Sequence, residues 1–270
     1  MPDLGSWDVI SGAEPGQLIL SVGLPAGGRR EAGFAELAAN IGATYQFLQA
    51  KLKLPGALPG RQVSGPAYVR RWTGEIQGCQ VAAVLGHRVG SVYATALAEA
   101  IGQWQRAPQV ILFDPQFASV RLLGAELHRV ILSISSMLSD DEIEQAGKLA
   151  AEFAESASGD VADAAAAAAG LYWEISSAAY DRVGIGGPYC RQCFAPFESY
   201  MSLVSAAAQI EPSQAWKRST AIVSFDYQDG TSPAGDTGGM VGHSIPFDVS
   251  HADLLRSDSV AKMVRELIEV

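Results

Sequence analysis

Gly86-His87-Arg88-Val89-Gly90 lies between a buried apolar run, 80–85 (QVAAVL), and a strong helical segment, 91–105. Its frame is that of the Gly-x-Ser-x-Gly turn, which presents a serine hydroxyl at a sharp reversal from strand to helix. Here arginine stands at the serine position. A serine nucleophile attacks once its proton has been drawn off by a base. A guanidinium stays protonated and has no nucleophilic lone pair. What Arg88 can do is hold an anion. It stands where a helix begins, and backbone N–H groups there already favour negative charge. The chemistry on offer is the binding of a carboxylate, phosphate or enolate, or the stabilisation of charge that develops during a reaction.

Other residue types that carry chemistry have plainer readings. Ser91 lies one turn inside the helix and reads as a small residue that permits close packing rather than as a nucleophile. Cys79 precedes the QVAAVL run, at the end far from the turn. Cys190-Arg191-Gln192-Cys193 is a single CxxC with no second pair and no nearby histidine pair, so zinc is not expected. No thioredoxin-like context surrounds it either. His128 reads as a surface or core residue. The glycines from Gly23 to Gly28 signal a loop; a dinucleotide site needs G-x-G-x-x-G opening a helix. No metal and no cofactor are expected.

The elements that must position these residues alternate. Apolar runs at 17–24 (QLILSVGL), 44–52, 80–85 and 109–113 (QVILF) read as buried strands. Segments 31–41, 65–77 and 91–105 read as helices between them. This alternation implies a mostly parallel α/β sheet. After residue 120 the pattern becomes almost wholly helical. Ser139-Asp140-Asp141-Glu142 is a capping box opening a helix through 155. An alanine-rich helix is expected over 161–180 and a third over 197–210, with Gly184 to Pro188 breaking the run. A strand returns at 219–225 (STAIVSF), a Gly/Asp/Ser/Pro loop follows through Gly242, a last strand lies at 243–247, and a closing helix spans 257–270. The expected domains are a core of 1–120 and 213–270 and a helical lid insertion of 121–212.

Composition narrows the function classes. The 270 residues are 48% hydrophobic, enough for one sizeable core. The formal net charge is −10 with no Lys/Arg-rich run, which argues against duplex nucleic acid as a partner. Three cysteines do not make a disulfide framework, and a reducing cytoplasm is expected. The start is polar with Gly and Pro, without a signal-peptide pattern, and no apolar run is long enough to span a bilayer.

Strand–GHRVG–helix, strand–FDP, helical insertion, then strand–VSHADLL is an order that resembles the α/β-hydrolases, and most of all the thioesterases of polyketide and nonribosomal peptide synthesis, including the free-standing editing type. The likeness covers nearly the whole chain and rests on motif order and spacing. It implies an α/β-hydrolase fold and places Asp114, at the end of QVILF, as the triad acid. It places His251, in DVSHADLL, as the base. Ala26 and Val89 are then the donors of an oxyanion hole. His87 and Arg88 fall beside the substrate, though His87, the usual outward neighbour in such elbows, has packing or loop hydrogen bonding as its default role. The partner implied is an acyl or peptidyl carrier protein bearing a phosphopantetheine-bound substrate, in antibiotic biosynthesis. Carrier proteins are acidic, so Arg29-Arg30 and Arg70-Arg71, otherwise solvated faces, are candidate docking residues.

The nucleophile alone departs from the pattern, which leaves three readings. Arg88 fills a dead site and pairs with a carboxylate such as Asp114. Alternatively, it clamps an anionic ligand. Or His251, oriented by Asp114, acts as a general base without a covalent intermediate while Arg88 stabilises negative charge, as in elimination, cyclisation or release. A hydrolase using another nucleophile is the further alternative.

Overall fold

The structure, a computed structural model, describes residues 4–11, 16–23, 31–42, 45–52, 63–155, 159–211, 214–228 and 240–269. Ala26, Arg29-Arg30 and most of the 226–242 loop lie outside them. The described chain divides into two compact units, one of 1–117 and 209–270 and one of 118–208.

The first unit is built on a seven-stranded sheet among the described residues. Its elements in chain order are β1 (Trp7–Ser11), β2 (Leu18–Val22), α1 (Phe34–Ile41), β3 (Gln46–Ala50), α2 (Gly65–Glu75), β4 (Val81–His87), α3 (Gly90–Ile101) and β5 (Gln109–Phe113). The sheet order is β1-β3-β2-β4-β5, continued by β6 (Thr220–Val223) and β7 (His243–Pro246). Only β1 runs antiparallel, against β3; the other pairings are parallel. The central strands LILSV, VAAVLGH and QVILF are covered on both faces, which is why they read as unbroken apolar runs.

Side-chain parity assigns the faces. Ile19, Phe47, Ala83, Leu85, Ile111 and Ile222 join Phe34 and Leu37 of α1 and Val260 and Val264 of the closing helix in one core cluster. Gly86, of the opposite parity, abuts Ser91 and Ala94 of α3. The alternating residues of β4 thus meet α1 and the closing helix on one side and α3 on the other.

The second unit is helical: α4 (Val120–Ser133), α5 (Asp140–Glu155), α6 (Val161–Arg182) and α7 (Pro188–Ala207). It begins at Ala118 and ends at Ala208, where the sequence reading set 121 and 212; Ser119 caps α4 by accepting the Leu122 N–H at 3.2 Å. The Ser139–Glu142 capping box forms, with Glu142 accepting the Ser139 N–H at 2.8 Å. That hydrogen bond is the first cause holding the Glu142 carboxyl below its usual range. In α6, Ala165, Ala168, Tyr172, Ser176 and Ala179 recur at helical spacing and form the buried stripe. Tyr172 meets Phe194 and Phe197 of α7.

Two element readings needed correction. The segment WDVIS, read as part of a polar start, is the edge strand β1; it is only partly buried and carries Asp8 and Ser11, so it has no apolar run. Helix α7 starts at Pro188 rather than 197 and runs through Pro196. A proline leaves the carbonyl four residues earlier without its donor; here that residue is Gln192, which is exposed, so water can serve it. The chain ends with a single helical turn, α8 (Phe225–Gln228), a 3-10 turn over His251–Arg256 and α9 (Asp258–Ile268).

Candidate active site at the carboxyl edge of the sheet

Strands β4 and β5 pair in parallel through His87 and Phe113, so the next residues, Arg88 and Asp114, emerge side by side at the carboxyl edge. This edge is where open α/β sheets bind ligands. Both chains turn sharply there. Arg88 has φ +54° and Asp114 φ +40°, the two non-glycine residues with positive φ among those described. Such backbone costs about 1–3 kcal/mol per residue and persists only where the surroundings impose it.

The surroundings of Arg88 do so. A Cβ on Gly86 would fall 2.6 Å from the Ser91 Cα, and one on Gly90 would fall 2.1 Å from the Val22 carbonyl oxygen. Neither obstacle is a flexible side-chain tip. Both glycines of the frame are therefore demanded by close approach of backbone, and the turn has the shape expected of a nucleophile elbow with arginine at its tip. The Arg88 side chain is 7% exposed, and its Nε donates to Gln116 Oε1 at 3.2 Å. The Gln116 N–H in turn donates to the Arg88 carbonyl at 3.2 Å.

Asp114 is 1% exposed and its two oxygens are engaged. Oδ1 accepts the Ser224 N–H at 2.8 Å, and Oδ2 lies 2.5 Å from His251 Nδ1. The pairing of Arg88 with Asp114 weighed from the sequence is not among the described contacts. His251 opens the 3-10 turn after β7 and keeps a quarter of its side chain exposed. Its N–H donates to Asp226 Oδ2 at 2.6 Å. The segment after β6 thus fixes both partners: Ser224 holds the Asp114 carboxylate and Asp226 the main chain of His251. Tyr227 ties the same segment to the β5 exit by donating its hydroxyl to the Pro115 carbonyl at 2.9 Å.

His87 is 4% exposed and stacks on His251, with centroids 5.2 Å apart and planes at 21°. Burial holds its imidazole well below the ordinary histidine range, and the neighbouring charges of His251 and Arg88 push the same way. The structure therefore brings His87, Arg88, Val89, Asp114 and His251 to one edge. Ala26 lies outside the described residues. Gln116, Ser224 and Asp226 were missed: two act through turns that no motif marks, and Ser224 through its backbone.

The remaining candidates fall elsewhere. Ser91 is fully buried against Gly86, with no hydrogen-bond partner for its hydroxyl among the described residues. His128 is exposed on α4, and Arg71 is engaged by Ser6 and Glu75. Cys190 is buried and Cys193 exposed on α7. Among the described residues no group of three or more His, Cys, Asp or Glu side chains is placed to hold a metal, and no helix is long and apolar enough to cross a membrane.

The mostly parallel sheet with flanking helices is the α/β-hydrolase fold. Solved structures with this arrangement include thioesterase domains. The Vlm2 thioesterase domain with genetically encoded 2,3-diaminopropionic acid, bound with a dodecadepsipeptide, is 14% identical over 97% of this chain and 98% of its own, with a TM-score of 0.52. Holo-AB3403, a four-domain nonribosomal peptide synthetase bound to AMP and glycine, is 11% identical over 98% of this chain, with a TM-score of 0.62. The match spans 20% of that larger protein. At these identities the likeness is one of fold. No family model matches the sequence, and no curated protein matches it.

Proposed function

We propose that the chain is a thioesterase-like protein of polyketide or nonribosomal peptide biosynthesis that acts on a carrier-bound or small acyl substrate without a serine acyl-enzyme. The observation that carries this reading is the Asp114–His251 hydrogen bond at 2.5 Å, standing beside an elbow whose tip is Arg88. Asp114 fixes the tautomer and orientation of His251, which then takes or delivers a proton as a general acid–base. Arg88 supplies a fixed positive charge to an anionic group or a developing enolate. The Val89 N–H completes the anion-binding edge. Cyclisation, elimination and release are the reaction types that need a base and an anion site but no covalent intermediate. The helical unit is the proposed lid that selects the ligand, and an acidic carrier protein the proposed partner.

A second reading is favoured by the burial of Arg88 and its bond to Gln116: the guanidinium plugs the old pocket, and the scaffold serves as a binding or assembly partner. One experiment separates the two. Acyl-pantetheine and acyl-carrier thioesters are incubated with wild type, His251→Ala and Arg88→Ala, and the products are followed by mass spectrometry. Turnover that depends on His251 supports the enzyme. Substrate left intact by wild type across the panel, with carrier binding retained, supports the scaffold.

A further inference from the structure

His87 occupies a slot that an apolar ring would fill with less cost. Phe34 meets the imidazole edge-on, with centroids 6.4 Å apart, and among the described residues Nε2 has no hydrogen-bond partner. Burying an unsatisfied polar nitrogen is unfavourable, so packing alone does not account for this ring. The same ring stacks on His251.

We infer that His87 is a positioning residue for His251: its flat ring fixes the plane of the His251 imidazole, while Asp114 fixes the Nδ1 edge. The inference rests on the reading of His251 as the base. A single hydrogen bond restrains one distance, and coupled changes in the two side-chain torsions can still tilt the ring without lengthening it. The main-chain bond from His251 to Asp226 anchors the backbone and leaves those torsions open. A restraint on the ring face removes it, and the nearly parallel stack supplies one.

Charge points the same way. The charged or titratable groups acting on His87 are His251 and Arg88, and both, together with burial, disfavour a proton on it. His87 therefore presents an uncharged face, and His251 can take up a proton without repulsion from the ring stacked on it.

The test is NMR on the intact chain labelled at histidine, with no ligand added. Wild type is expected to show cross-relaxation between the two rings and a low-field Nδ1 proton on His251. His87→Phe keeps a flat ring and retains that proton. His87→Leu fills the slot without a flat face and loses the low-field proton. Absence of ring-to-ring contacts in wild type overturns the inference, and this holds even where a variant fails to fold. So does retention of the low-field proton in His87→Leu, or its loss in His87→Phe. None of these readouts uses turnover, so a failure of the catalytic reading, seen as activity indifferent to His251→Ala, is distinguishable from a failure of this one.

Discussion

A Cβ on Gly90 would sit 2.1 Å from the carbonyl oxygen of Val22, an atom held inside the sheet. Strand β2 and the first turn of α3 touch there through backbone alone, and the elbow takes its sharpness from that contact. Gly90→Ala is therefore expected to destabilise the fold by about 3 kcal/mol, the upper end of the overpacking range, because both obstacles are backbone. Gly147, inside α5 with no atom within 4 Å of a Cβ, is the control. Gly147→Ala is expected to stabilise by about 0.5–1 kcal/mol. Urea denaturation of the three proteins measures both; similar stabilities for Gly90→Ala and wild type contradict the contact.

How far the sequence reveals the site follows from what kind of contact each residue makes. Asp114 and His251 were legible because their types follow two strands in a recurrent order. Their actual partners were not: the Ser224 N–H is backbone, and Asp226 sits in a four-residue turn without periodicity. The central strands were legible because both faces are covered. Strand β1 was not, since this partly exposed edge strand has neither an apolar run nor a clean alternation. Pro196 reads as a helix boundary and is tolerated only because the carbonyl it leaves unserved belongs to exposed Gln192.

Restoring a hydroxyl at the elbow is expected to restore hydrolysis. Arg88→Ser places the side chain beside the Asp114–His251 pair, and thioester hydrolysis should rise above a low wild-type rate. The gain is limited by a pocket shaped around a guanidinium. It should vanish in Arg88→Ser/His251→Ala. Rapid wild-type hydrolysis that survives Arg88→Ala points instead to another nucleophile.

Burial of His87 has a pH signature. Its folded pKa lies well below the ordinary 6.5, so in mildly acidic solution the unfolded chain binds a proton that the folded chain refuses. The unfolded state then holds more protons, and stability falls as pH drops below about 6.5 until the folded pKa is reached. The loss is at most about 1.4 kcal/mol per pH unit for this one group. Denaturation midpoints measured between about pH 7 and pH 5 should decline less in His87→Phe than in wild type. Parallel decline in the two proteins removes His87 as the cause.

The alanine-rich helical unit is expected to open more readily than the sheet, since alanine favours helix but gives little side-chain anchoring. Amide exchange should be faster in 140–210 than in 80–85 and 109–113, and should slow there when a bound acyl ligand is present. Equal protection in both regions, unchanged by a ligand shown to bind, marks 118–208 as a fixed subdomain.

The pairing of Ile111 with Thr220 also bears on how the molecule is assembled. Strand β6 joins β5 only after the chain has traversed the whole helical unit, and closing so long a span carries an entropy cost that grows with the logarithm of its length. Prior collapse of the four helices shortens the span, so the order expected is helices first and β6 afterwards. Everything beyond β6, His251 included, then registers late. Trp216, stacked on Phe117 at 4.4 Å just ahead of β6, reports that step. In a folded variant whose other four tryptophans are replaced by phenylalanine, its fluorescence during refolding should reach the native value after the helical circular dichroism signal; simultaneous recovery of the two argues for a single concerted transition. On this order, Asp114 waits at the edge of a five-stranded sheet for a His251 delivered by one of the last segments to fold.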